Sequence, residues 1–270
     1  MNAELAGKVV LITGASGGIG SAAARKFAAE GSKLVLHCRR NVARAKRLQN
    51  ELAVVESLVV RADLTKEVEV RRLFAQARQR YGRVDTLVAN AGSWENRDIP
   101  LHQMSVKQWR QTLDAVATSA FLSLRDFLRL VARQRRGNAV VIASTAALFG
   151  EAGHADYAAA KSALAFGLIR SLKNEIARLA PHAADYCGGR INCVCPGWTV
   201  VPRNTAILGD AEVVRKVTAT MALPQIARPN ERCQRHCLPG LRCARPAHHR
   251  PDPGGSRRDG RPLIVASRGN

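Results

Sequence analysis

The chain is short of acid and of aromatic residues. Its 270 residues hold 42 Lys and Arg against 21 Asp and Glu, a formal charge of +21, and only 4% are aromatic. So basic a chain raises an anionic partner such as nucleic acid. Two observations weaken that reading: much of the excess lies at the C-terminal end, and no aromatic residue is interleaved there for base stacking, the last being Trp198. No apolar run approaches the ~20 residues of a membrane helix, so no membrane partner is expected. No charged-then-apolar leader precedes the first apolar run, which favours a cytoplasmic protein. The cysteines, Cys38, Cys187, Cys193, Cys195, Cys233, Cys237 and Cys243, are odd in number in a long chain. Reduced thiols are therefore expected rather than a disulfide framework.

What is present up to about Pro229 is an alternation. Short β-branched runs at 9–12, 34–37, 58–60, 86–88, 139–142 and 191–194 are separated by helical patterns, among them 21–30, 65–81 and 105–136. Alternating strands and helices predict an α/β fold, a doubly wound parallel sheet covered on both faces. Residues 1–229 read as one domain. Residues 230–270 are an Arg-, Pro- and Gly-rich tail with no Lys and no period beyond Leu263-Ile264-Val265. That composition predicts disorder or a shifted reading frame.

After the first run comes Thr13-Gly14-Ala15-Ser16-Gly17-Gly18-Ile19-Gly20. Glycines between a strand and a helix let the backbone approach a pyrophosphate, and the helix start offers free N–H groups to it. This is a Rossmann-type dinucleotide-binding start. Tyr157 and Lys161, four residues apart, share one helix face. A phenol ordinarily titrates near pH 10, and an adjacent ammonium favours its ionised form. Such a pair suits acid–base work on an alcohol or carbonyl.

Together these motifs resemble the short-chain dehydrogenase/reductase family, classical type, over roughly residues 5–229. Gly14, Gly18 and Gly20 have the family's glycine spacing. Asp63, followed by Leu64, stands where the family sets an acid against adenine. Asn90-Ala91-Gly92 ends the fourth strand, Ser144 precedes Tyr157 at the family's spacing, and Pro196-Gly197 follows the sixth strand. The resemblance implies Ser144, Tyr157 and Lys161 as catalytic residues. Ser144 would orient the substrate oxygen, Tyr157 would be the acid/base, and Lys161 would also hold the nicotinamide ribose. It implies cofactor contacts from Thr13, Gly14, Ser16, Gly18, Ile19, Gly20, Asp63, Leu64, Asn90, Ala91, Gly92, Tyr157, Lys161, Pro196, Gly197 and Thr199. The second strand ends in His37-Cys38-Arg39-Arg40 with no carboxylate for a ribose 2′-hydroxyl. Arg39 and Arg40 favour NADP(H) over NAD(H).

The expected function is an NADP(H)-dependent oxidoreductase interconverting a small carbonyl and its alcohol. Two departures keep alternatives open. The family's catalytic Asn falls at Val116, which has no hydrogen-bonding side chain, and a family Thr falls at Val201. The family's final strand is also unwritten, so the preceding strand is expected to become an open edge unless residues 263–265 replace it. A shift of frame near Pro229 accounts for this, because codon degeneracy lets residues 250–260 encode the family's ending one base over. The alternatives are an impaired copy that binds dinucleotide without turnover, and a basic-tail nucleic-acid binder. Cys233, Cys237, Cys243, His248 and His249 match no common zinc spacing, so no metal site is expected. Trp94, just past Gly92, is placed near the pocket or in packing, and residues 199–224 are expected to cover the substrate. By family analogy a homo-oligomer is expected if the C-terminal region folds.

Overall fold

The structure is a computed structural model that describes residues 5–183, 186–201, 204–205, 207–218, 226–228 and 264–266. The strands are β1 (Val9–Ile12), β2 (Lys33–Cys38), β3 (Ser57–Arg61), β4 (Thr86–Ala89), β5 (Asn138–Ile142), β6 (Arg190–Cys195) and β7 (Ile264–Ala266). They form one sheet in the order β3-β2-β1-β4-β5-β6-β7, and every pairing is parallel. The strand order reverses between β1 and β4. That switch point opens a crevice at the carboxyl ends of the strands, where open α/β sheets bind ligands.

The strand residues divide by alternation. Val9, Leu11 and Val35 join one apolar cluster, while Val10, Ile12, Leu34 and Leu36 join the other. A period of two sends neighbours to opposite faces, and both faces are covered. One face packs on α1 (Gly18–Ala29) and α2 (Val42–Glu51) through Phe27, Ala24 and Leu48. The other packs on α3 (Glu67–Tyr81), α4 (Val106–Leu113) and α5 (Ser119–Gln134). The cover there is completed by α6 (Ala146–Phe149), α7 (Ala155–Ser162) and α8 (Ile169–Leu179). A further helix, α9 (Ala211–Thr218), follows β6.

The single helix expected over 105–136 is interrupted. A π turn at Asp114–Thr118 joins α4 to α5, and a second at Ala163–Leu168 joins α7 to α8. Such insertions collect at functional sites, and the first contains Val116. The expected open edge beside β6 is also replaced: β7 pairs Ile264 with Cys193 and Ala266 with Cys195. The run that sequence periodicity singled out in the tail therefore supplies the seventh strand.

Cys38, Cys193 and Cys195 are buried free thiols, as expected. Cys187 departs from that expectation, being disulfide-bonded. Its partner lies outside the described residues, as do the zinc reading of Cys233, Cys237, Cys243, His248 and His249 and most of the tail. Among the described residues no three His, Cys, Asp or Glu side chains group to hold a metal. No helix among them is long and apolar enough to cross a membrane.

Candidate active site

The glycine loop is shaped by sterics. Gly14 has φ +66°, and a Cβ on Gly20 would lie 2.3 Å from the Gly14 carbonyl oxygen. Only glycine fits at Gly20, so α1 can start directly against the loop. Gly17 is the N-cap and has no side chain to satisfy the first N–H groups of α1. With no side chain standing over it, the helix start is open to an anion, which complements the helix dipole. Such a loop can hold a pyrophosphate.

Two side chains fix that cradle from behind. Thr13 Oγ1 accepts the N–H groups of Asn90 (2.9 Å) and Ala91 (3.0 Å). Asn90 Nδ2 returns a bond to the Thr13 carbonyl at 2.9 Å. The β1 and β4 ends are thus stitched together. On the other side His37, only 2% exposed, bridges two loops. Its Nδ1 accepts the Gly14 N–H at 3.0 Å and its Nε2 lies 2.9 Å from the Ala62 carbonyl. A carbonyl only accepts, so Nε2 carries the hydrogen and the ring is neutral. Burial holds its pKa below the usual histidine value, against the Ala62 carbonyl and the Asp63 charge.

A cleft of about 660 Å³ runs from this loop across the switch point. All the site residues expected from sequence line it except Thr13 and Gly20, which sit behind the lining. At the adenosine end Asp63 Oδ1 accepts from the Thr65 N–H (3.1 Å) and hydroxyl (2.8 Å), and Arg39 Nη2 reaches Asp63 Oδ2 at 3.0 Å. Burial raises the Asp63 carboxyl, but these hydrogen bonds and the Arg39 and Lys66 charges outweigh it and hold the pKa low. Arg40 and Arg44 line the same end. Arg44, on α2, escaped the sequence reading, since only the fold turns its helix toward the cleft.

At the other end stand Ser144, Tyr157 and Lys161. Ser144 follows β5, and its Oγ accepts the Ala146 N–H at 3.2 Å. Lys161 is 3% exposed; its Nζ donates to the Ile142 carbonyl at 2.6 Å and lies 5.7 Å from the Tyr157 ring centroid. The ammonium is therefore fixed at the end of β5, below the phenol. Tyr157 itself is placed by Asp156, 1% exposed, which sequence reasoning missed. Asp156 accepts from Thr112 Oγ1 (2.6 Å) and Gln108 Nε2 (3.3 Å) on α4 and from the Tyr157 N–H (2.8 Å). This bond set ties the start of α7 to α4.

Val116 is fully buried in the π turn. A Cβ on Gly92 would lie 3.7 Å from Val116 Cγ2 and 3.6 Å from Lys161 Nζ. An apolar methyl thus lies close to Lys161, at the position where the resemblance sets the family's Asn. Val201 and Thr199 line the cleft, held by Asn204: its Nδ2 donates to the Thr199 carbonyl (2.9 Å) and its Oδ1 accepts the Val201 N–H (2.8 Å).

Fold and cleft together define a dinucleotide-dependent enzyme scaffold, and the comparisons narrow it. The family model for short chain dehydrogenase matches residues 8–211. The chain belongs to the short-chain dehydrogenase/reductase family, a class of NAD(P)-dependent oxidoreductases. An uncharacterised oxidoreductase of Bacillus subtilis, YuxG, is 32% identical over 213 residues, 77% of this chain but only 29% of that protein. The cis-4-hydroxycyclohexanecarboxylate dehydrogenase of Sinomonas cyclohexanicum is 33% identical, covering 86% of this chain and 88% of its own length. A 3-oxoacyl-[acyl-carrier-protein] reductase of Synechocystis is 32% identical, covering 72% of this chain and 75% of its own length. The crystal structure of gox2181 superposes with a TM-score of 0.77 at 25% identity, covering 86% of this chain and 88% of that one.

Proposed function

We propose that this chain interconverts a small carbonyl compound and its alcohol, using NADP(H) in preference to NAD(H). The observation that carries the reading is the placing of Ser144, Tyr157 and Lys161 in the cleft that begins at the glycine-capped start of α1. When bound, the nicotinamide supplies or takes the hydride equivalent; the protein orients and polarises. Ser144 Oγ orients the substrate oxygen. The Tyr157 hydroxyl donates a proton to that oxygen in reduction and takes it in oxidation. The Lys161 ammonium, anchored on Ile142, stabilises the phenolate that results. Positioned acid–base groups contribute a factor of about 10² to 10⁴.

NADP(H) is favoured because β2 ends without a carboxylate and the adenosine end carries Arg39, Arg40 and Arg44. Fluorescence titration with NADPH and NADH, followed by a screen of carbonyl substrates, tests the reading. Saturable NADPH binding with turnover that Tyr157→Phe abolishes supports it. Saturable binding without turnover in the parent chain favours a second reading, a dinucleotide binder whose proton relay is broken at Val116. We also propose a cytoplasmic homo-oligomer, which size-exclusion chromatography with light scattering tests.

A further inference from the structure

The substrate end of the cleft has a composition that the catalytic residues do not explain. Trp94, on the loop after β4, sits at the centre of a cluster of rings. Its centroid lies 4.5 Å from His154, 5.4 Å from Tyr157 and 5.6 Å from Trp198. Trp94, Tyr157 and Trp198 line the cleft, while His154 is buried. The catalytic phenol is therefore one edge of an aromatic wall. The wall is made by three separate segments, the loops after β4 and β6 and the start of α7, which hold one another in tilted and edge-on contact.

Glu151 lines the same end, half-buried. Burial pushes its carboxyl up, and the Asp98 charge adds to this while His154 opposes it. Asp98 is held close by backbone geometry: a Cβ on Gly153 would collide with its carboxylate, and the Ile99 N–H donates to the Gly153 carbonyl at 3.0 Å. The cleft is thus electrically divided, with Arg39, Arg40 and Arg44 beside Asp63 at the adenosine end and Glu151, with Asp98 behind it, at the substrate end. The exception at the acidic end is Lys161, whose ammonium is buried on the Ile142 carbonyl.

We propose, resting on the oxidoreductase reading above, that this end selects a ring-bearing secondary alcohol or ketone that carries a hydrogen-bond donor, hydroxyl or ammonium, and no carboxylate. A carbinol held at Tyr157 brings the body of its molecule against Trp94 and Trp198. A flat or cyclic body gains more from those faces than an open chain, because it covers them without losing rotamer freedom. A donor on the far side of the ring meets the Glu151 carboxyl. A carboxylate there meets a like charge in a partly desolvated site, which discriminates by repulsion rather than by fit.

The test compares 4-aminocyclohexanol, 1,4-cyclohexanediol, 4-hydroxycyclohexanecarboxylate and 2-hexanol at saturating NADP⁺. Two readouts are taken: kcat/KM, and equilibrium binding to the NADP⁺-loaded protein by saturation-transfer NMR. The amine and the diol are expected to exceed the carboxylate by at least about tenfold. Glu151→Gln is expected to narrow the amine-to-carboxylate ratio about fivefold or more, and Trp94→Ala to narrow the ring-to-chain ratio. A carboxylate that equals or exceeds the amine, or a ratio unmoved by Glu151→Gln, overturns the proposal. If nothing turns over, the binding order decides. The same order supports the selection and overturns only the oxidoreductase reading. No ring compound bound to cofactor-loaded protein overturns the selection itself.

Discussion

The imidazole of His37 accepts the backbone N–H of Gly14 at 3.0 Å while its other nitrogen donates to the carbonyl of Ala62 at 2.9 Å. One buried ring thereby sets the glycine loop against the loop that carries Asp63. Protonation gives both nitrogens hydrogens and removes the acceptor that Gly14 uses. Burial lowers the folded pKa below the unfolded value of 6.5. The unfolded state then binds more protons as pH falls through 6.5, so this contribution to stability is complete above that pH. It is lost as pH drops from 6.5 toward the folded value. The groups facing His37 include the Asp63 carboxylate and its Arg39 partner. The melting temperature is expected to fall on acidification below pH 6.5, and His37→Asn to flatten that slope. NAD⁺ binding, free of a titrating 2′-phosphate, should weaken over the same range. A parallel slope in the variant removes His37 as the cause.

Val116→Asn is expected to raise turnover. The position lies beside Lys161 in the π turn, and an amide there can hold the water that links the ammonium to solvent in the family. The gain is a fraction of the 10² to 10⁴ that acid–base assistance is typically worth. Burying the amide costs about 1–3 kcal/mol unless it finds partners. Stopped-flow or steady-state rates on folded, cofactor-bound variant decide, and an unchanged rate refutes the relay argument.

Arg40→Ala and Arg44→Ala should each weaken NADPH by roughly tenfold or more, the usual worth of a charge-assisted hydrogen bond of about 1.5–3 kcal/mol. NADH should change little. Equal losses for both cofactors would mean that these arginines do not meet a 2′-phosphate.

Asp156→Ala removes the acceptor shared by Thr112, Gln108 and the Tyr157 N–H. It is expected to cost about 1–3 kcal/mol of stability through unpaired buried donors. It should also lower kcat more than NADPH affinity, because Asp156 bonds α4 and the start of α7, where it orients Tyr157, and not the glycine loop or the arginines of the adenosine end. Asp156→Asn, which keeps one acceptor, should restore part of the rate. Chemical denaturation alongside kinetics separates the two effects.

Gly20→Ala places a methyl 2.3 Å from the Gly14 carbonyl oxygen. The loop must shift, and NADPH binding should fall by more than tenfold in protein that still melts cooperatively, a loss of over ~1.4 kcal/mol. Undiminished affinity would mean that the pyrophosphate is not cradled at this loop.

The sequence by itself determined the alternation of strands and helices, the glycine loop, and the spacing of Ser144, Tyr157 and Lys161. These are local signals: side-chain period, glycine sterics and one helix face are written within a few residues of each other. It also marked Leu263-Ile264-Val265 as the only patterned run in the tail, and β7 forms across Ile264–Ala266. Only the tertiary structure decided the rest. His37 reads as one more residue of an apolar strand until β1 and β3 bring Gly14 and Ala62 to its two nitrogens. Asp156 looks like helix surface until α4 supplies Thr112. Glu151 and Trp198 are 47 residues apart, and their meeting with Trp94 at one cleft depends on three loops emerging at the same edge of the sheet. The π turn at Val116 is equally invisible, because its helical period continues on either side. Such contacts join residues far apart in the chain, and no local pattern specifies them until a parallel sheet gathers its carboxyl ends.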